Sequence, residues 1–308
     1  MSPTAANPSK SHRQWPTLPP PHIAARRGAA ALLGLLAVFL ASVASAQTAP
    51  SAPQDAAALV RRAVQHRLDA AKNHQPLRYM IRRIDERHDT TKLIVETKDG
   101  DVARLVAIKG KPLGADAGKA ELARLDNLLQ HPEMQEHRRK GEQKDEQRIT
   151  HLLGLLPDAF LYKFEGMVPC PAGQCYRLSF TPNPKFVPPD IEANLFRGIA
   201  GEVWIDQAEE RLNRLDANFI SDVDFGWGIL GKLNKGGTAL LEQTDIGNHD
   251  WELTGLKLHV TGKALLVKSF NFQVTEDASH FALVPPMSYR DAIQLLKRYD
   301  ASQTTYTP

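Results

Sequence analysis

The chain has 308 residues, with 38 Lys and Arg against 35 Asp and Glu and a mean hydropathy of −0.34. Residues 1–46 hold Lys10, Arg13, Arg26 and Arg27 and no acid, so the remainder carries 34 basic against 35 acidic residues. That balance gives no electrostatic footprint for nucleic acid or an anionic membrane surface, and roughly 260 residues suffice for one large core.

The start of the chain reads as an export signal. Arg26-Arg27 precede an apolar run from Gly28 to Val43 that contains no charge and closes in Ala44-Ser45-Ala46. A basic region, a short apolar region and a small-x-small site are the parts of a cleavable signal peptide, here residues 1–46 with cleavage near Ala46. The run is short of the ~20 apolar residues of a bilayer span. No Cys stands at the junction for acylation, and Gly28-Ala29-Ala30 lacks the bulky residues of a twin-arginine signal. The expected location is the periplasm, with residues 47–299 as one domain.

In chain order, Asp55–Ala71 places Ala58, Leu59, Ala63, Val64 and Leu68 at helical spacing, with Arg61, Arg62 and Arg67 outside that stripe and Asn73 and Pro76 as the stop. Tyr79 and Ile81 open a strand. Lys92–Thr97 and Val102–Lys109 flank Asp99-Gly100, a strong hairpin signal. From Lys119, Leu122, Leu125, Leu128 and Leu129 mark a second helix. The stretch 131–151 is dense in charge and reads as an inserted solvated helix or mobile crossing. A short apolar patch, Leu152–Leu156, follows and is stopped by Pro157.

Phe160–Met167 and Tyr176–Phe180 read as two strands joined by a turn carrying Cys170 and Cys175, the only cysteines. In an oxidising compartment a disulfide closing that hairpin is favoured. A redox pair or half a metal site is the alternative, but C-x4-C is not the redox spacing and there is no second pair. Pro182, Pro184, Pro188 and Pro189 predict an extended loop, and Ile191–Ile199 a short helix. From Gly201 to Val274 the period is two. Val203 and Ile205 share one face against Glu202, Trp204 and Asp206; Leu215, Ala217, Phe219, Ser221, Val223 and Phe225 alternate with Asp216, Asn218, Asp222 and Asp224; Trp251 and Leu253, then Leu256, Leu258 and Val260, continue; Phe270, Phe272 and Val274 close the run. Ser288–Tyr299 reads as a capped helix and residues 300–308 as a disordered tail. About ten mostly antiparallel strands with grouped helices give an α+β fold, a large curved antiparallel sheet with helices over its concave face.

Catalytic motifs are weak. Gly226-Trp-Gly228-Ile-Leu-Gly231-Lys232 matches two phosphate-loop patterns, but Leu233 replaces the Ser or Thr and Lys235-Gly236-Gly237 breaks any following helix, so a turn is expected. Asp222 and Asp224 share one face of a strand and read as its polar side rather than a metal pair. His249-Asp250 lies in a Gly/Asn turn and His259 alternates out of a strand, with no nucleophile motif in reach. The expectation is therefore not an enzyme, with no metal and no cofactor. Trp204, Phe219, Phe225, Trp251, Leu256, Leu258, Phe270 and Phe272 are the candidates to line an apolar ligand cavity, or equally to fill a packed core.

An exported α+β chain with an N-terminal helix, a β-meander, the Gly201-Glu-Val-Trp-Ile-Asp206 strand and a turn into Leu212-x-x-Leu215 resembles the outer-membrane lipoprotein-sorting (LolA/LolB-like) superfamily of periplasmic carriers. The resemblance covers about Phe160 to Phe272. It implies an incomplete β-barrel capped by helices, a concavity for acyl chains, and no cofactor. Its implied partners are a lipid or an acylated protein and an envelope membrane component, not nucleic acid. None of Arg78, Arg82 and Arg104 in the early strands can be matched to the superfamily's ligand-gating arginine. The rival expectation is an envelope scaffold with a filled interior, and a hydrolase using Asp222, Asp224 or His249 comes last.

Overall fold

The computed structural model describes Pro53 and residues 55–225, 231–264 and 268–299. The expected signal peptide at 1–46 and tail at 300–308 lie outside the described residues. Among the described residues there are four α-helices: α1 (Ala56–Lys72), α2 (Ala115–Gln130), α3 (Pro132–Ala159) and α4 (Tyr289–Arg298), with a 3-10 turn at Glu192–Arg197. The strands are β1 (Leu77–Asp85), β2 (Asp89–Val95), β3 (Val102–Ile108), β4 (Lys111–Pro112), β5 (Phe160–Cys170), β6 (Gly173–Pro182), β7 (Ile199–Asp206), β8 (Leu212–Phe219), β9 (Val223–Phe225), β10 (Gly231–Leu233), β11 (Thr238–Asp245), β12 (Trp251–Ala264) and β13 (Lys268–Leu283). All pair antiparallel in one open sheet, in the order β4-β3-β2-β1-β13-β12-β11-β8-β7-β6-β5, with β10 joined to β12 and β9. The fold is the α+β open sheet expected, with thirteen strands rather than about ten. The extra ones are short. The alternation read through Leu215–Phe225 is interrupted, since β8 ends at Phe219 and β9 begins at Val223.

Register follows the apolar pattern. Ile205, Val203 and Ile199 pair with Leu212, Leu215 and Phe219, and Phe180 and Leu178 lie across from Tyr162 and Phe164, so one face is apolar from β5 to β8. Gly201 faces Ala217 on that side, where a Cβ would run into the Asp216 carbonyl. On β12 the inward set changes from odd to even positions. Gln243 pairs with Leu253 but Glu242 with Gly255, so Thr254 is one extra residue, a β-bulge. Leu253 precedes the bulge, and Leu256 and Leu258 follow it on the same face, across from Leu241 and Ala239.

Helix α1 starts where Asp55 Oδ1 accepts from the amides of Ala57 and Ala58 at 2.9 and 3.1 Å. It buries Leu59, Val60, Ala63 and Val64 against β5–β8. The Arg62 guanidinium donates twice to Glu210, at 2.6 and 2.8 Å, and fixes the helix to the β7–β8 turn. The expected charged insertion is the first part of α3, a continuous helix that also contains the Leu152–Leu156 patch. Pro157 does not stop it before that point: it falls in the last turn, where little of the ladder remains to be lost. Gln135 anchors the other end by donating to the Asp99 and Gly100 carbonyls at 2.9 Å each.

The helices expected over the apolar face are α1 and α3. A second core, Met80, Leu93, Val95 and Val102 with Leu125, Leu128, Ile293 and Leu296, places α2 and α4 against β1–β3. Tyr79 and Ile94, adjacent in sequence to Met80 and Leu93, pair with each other and face the opposite way. So α2 and α4 cover the reverse side of the sheet near its β4 edge. The Arg104 guanidinium secures α4 by donating to the Leu296 and Tyr299 carbonyls at 2.5 and 2.7 Å, while Arg82 pairs with Asp89.

Cys170 and Cys175 form a disulfide across the β5–β6 turn, with a Cα separation of 5.9 Å. The Gly226–Lys232 loop falls partly on undescribed residues, but Gly231–Leu233 is a strand, with Lys232 across from Asp224 and bound to Asp222 at 2.6 Å. No helix N-terminus follows to hold a phosphate; Asp224 is the exposed polar position of β9, and Asp222 stands just before it.

Candidate ligand cavity

Between α1, α3 and the apolar face of the sheet lies a cavity of about 260 Å³. Helix α1 contributes Val60, Ala63, Val64 and Arg67; α3 contributes Ile149, Leu153 and Leu156. The sheet supplies Phe160, Tyr162 and Phe180 on β5 and β6, Val203 and Ile205 on β7, Leu212 and Leu215 on β8, and Leu241, Gln243 and Leu253 on β11 and β12. Tyr162 turns its polar end away from the space by donating its hydroxyl to the Leu156 carbonyl at 2.8 Å. Ile149 and Leu253 are 57% and 37% exposed and mark the mouth.

Arg67 is shared between this cavity and a polar cleft of about 550 Å³ that runs past the end of α1. Among the described residues its guanidinium makes no hydrogen bond or close ion pair. The cleft carries Glu96 and Asp101 from the β2–β3 hairpin, Glu142 and Glu146 from α3, Glu252 from β12, and His74 beyond α1. Burial pushes the Asp101 carboxyl up to about 7, and the neighbouring Glu142 and Glu96 charges add to the rise. Burial also raises Glu252. The His74 imidazole is raised by its 2.6 Å hydrogen bond to Glu96. The site thus joins an apolar pouch to a charged vestibule at Arg67.

Side chains able to hold a metal converge at three places among the described residues: Cys170, Cys175 and Asp206; His74, Asp250 and Glu252; Glu209, Asp245 and His249. The first is committed to the disulfide.

The eight residues expected to line a cavity are placed elsewhere. Trp204 alternates onto the far face, under the Arg214 guanidinium at 5.1 Å, as its position beside Val203 and Ile205 dictates. Phe219 and Trp251 are buried, and Trp251 donates its indole N–H to Glu209 at 3.0 Å. Leu258 and Phe270 pack on the rim of the main core and Leu256 is half-buried. Phe225 is half-buried on the short β9, and Phe272 is 40% exposed. Sequence reasoning set the Asp55–Ala71 helix over the sheet but named none of its side chains as lining, and it missed the α3 wall and Arg67. The signal was present: Val60, Ala63, Val64 and Arg67 recur at the i, i+3, i+4, i+7 spacing of one helix face.

An open antiparallel sheet roofed by helices over an apolar pouch is the class of structure these observations define. Solved structures to which the chain is similar include the putative outer membrane lipoprotein-sorting protein domain from Vibrio parahaemolyticus, at 10% identity and a TM-score of 0.28, covering 78% of this chain and 100% of that one. Another is a LolA superfamily protein from Nitrosomonas europaea, at 8% identity and a TM-score of 0.25, covering 73% of this chain and 93% of that one. No family model matches the sequence, and no curated protein matches it. No helix among the described residues is long and apolar enough to cross a membrane.

Proposed function

We propose that this protein is a periplasmic carrier that binds an amphiphile, such as a lipid or the acyl group of a lipoprotein, with its apolar tail between α1, α3 and the sheet and its anionic head at Arg67. The observation that carries this reading is the position of Arg67, unpaired among the described residues and shared by an apolar cavity and a polar cleft. A buried apolar wall gains about 25 cal/mol per Å² covered, while the guanidinium supplies a fork of donors for a carboxylate or phosphate. The cavity volume of about 260 Å³ lies below the ~300–1,000 Å³ of most small-molecule sites, so it holds one tail or part of one. The reading is one of binding and release, and it is supported by a lining that is apolar apart from Arg67, Gln243 and the Tyr162 hydroxyl.

The test is organic-solvent extraction of the purified protein followed by mass spectrometry, with uptake of a fluorescent fatty acid as a second readout. Co-purified lipid, and uptake that falls in Val64→Phe, are expected. Clean extracts together with no uptake would overturn the carrier reading in favour of an envelope scaffold.

A further inference from the structure

Where α1 runs out, His74 forms a shared wall between two clefts of about 550 and 450 Å³. Its imidazole meets two carboxylates from the β11–β12 hairpin. A ring nitrogen of His74, a carboxylate oxygen of Asp250 and one of Glu252 all lie within 4.8 Å of one another. The two ring nitrogens have different partners. Nε2 is 2.6 Å from Glu96 Oε2, whereas Nδ1 is 3.5 Å from Glu252 Oε1, beyond a good hydrogen bond.

We propose that His74, Asp250 and Glu252 form a binding site for a divalent transition-metal cation of the zinc class, with Glu96 as the outer partner that orients the histidine. Nε2–H donating to Glu96 leaves the Nδ1 lone pair directed to the acid side of the cluster. A metal-bound histidine backed by a carboxylate on its other nitrogen is a recurrent arrangement. One imidazole and two carboxylates suit zinc, which takes His N and Asp or Glu O at about 2.0–2.2 Å and accepts three protein ligands with an open position. Calcium wants six to eight oxygens and magnesium an octahedral oxygen shell, neither of which this set offers. Both clefts give a cation a route in.

The neighbouring set, Glu209, Asp245 and His249, is the weaker candidate. His249 Nδ1 is already 2.8 Å from Glu209 Oε1, the other Glu209 oxygen accepts from Trp251, and the His249 side chain is 79% exposed. Asp245 accepts from the Gly247 amide within its own turn. With metal bound, the end of α1, the β11–β12 hairpin and the end of β2 become one unit.

The experiment uses the full chain, stripped with chelator and titrated with zinc chloride, read by calorimetry and tryptophan emission, since Trp251 lies between two of the ligands. One equivalent is expected to bind and to raise the melting temperature. His74→Gln and Glu252→Gln should each weaken binding at least tenfold, and Glu96→Gln by roughly tenfold through loss of the outer partner. His249→Gln should change nothing, and magnesium should not compete. No zinc binding, binding indifferent to His74→Gln and Glu252→Gln, or binding lost in His249→Gln would each overturn the proposal. A chelator melt that superimposes wild type and variants guards against misfolding, and the fatty-acid uptake assay is scored separately, so failure of one idea is not read as failure of the other.

Discussion

The indole N–H of Trp251 donates to Glu209 Oε2 at 3.0 Å, tying the start of β12 to the β7–β8 turn. Trp251 is 5% exposed and takes no part in the cavity wall. Trp251→Ala should therefore cost about 3–5 kcal/mol of stability, as large aromatic truncations do, while the folded fraction keeps its fatty-acid uptake. Denaturant melts and uptake measured on the same preparation check both halves.

Val64→Phe addresses the cavity itself. The added ring would enter space that is already apolar, so stability should stay within ~1 kcal/mol of wild type while uptake falls several-fold. Equal uptake in wild type and variant would place the tail elsewhere.

Arg67→Ala separates head from tail. With the cation removed, affinity for a fatty acid should drop about tenfold, equivalent to ~1.4 kcal/mol. Affinity for the matching neutral alcohol should hardly change. Competition binding with the two ligands provides the comparison.

Asp101 gives the chain a pH dependence. Its carboxyl stands at about 7 in the folded protein against an ordinary 3.8, so between those values the folded state holds the extra proton and stability falls as pH rises. The contribution is fully present below about 4 and lost through 7. His74 and Glu252 are raised too and act in the same direction. Asp101→Asn should flatten the curve between pH 4 and 7 and be more stable than wild type at pH 8, with ~4 kcal/mol as the ceiling for a three-unit shift. Urea midpoints across pH provide the measurement.

The disulfide between Cys170 and Cys175 closes a short loop at the tip of β5–β6. Replacing both with Ser should cost about 2 kcal/mol by loop-closure entropy and leave zinc and lipid binding intact, since neither cysteine lines the cavity or belongs to the His74 cluster.

Much of the fold was legible because period-two and period-3.6 patterns reflect burial directly. Asp55 and Ser288 cap the helices their positions suggested, and Asp99-Gly100 makes its turn with Gly100 at φ +92°. The site was not legible in the same way. Large aromatics stood out as cavity candidates, yet Trp204 sits on the wrong face by simple parity, and the actual pouch is walled mainly by aliphatic residues of α1, α3 and β7–β8. A packed core and a vacant one draw on the same residue types, so composition does not separate them. The charge run at 131–151 hid the continuity of α3, because its polar first half meets the β2–β3 hairpin through Gln135 and Glu142 rather than through an apolar stripe.

Thr254 is the hinge on which β12 keeps its grease inward. Were Thr254 to pair as an ordinary ladder residue instead of bulging, the strand beyond it would slide by one step against β11. Lys257 and His259 would then be driven under the helical roof, and Leu256, Leu258 and Val260 would be turned out to water. One bulge, at an ordinary threonine, separates a closed interior from an inverted one.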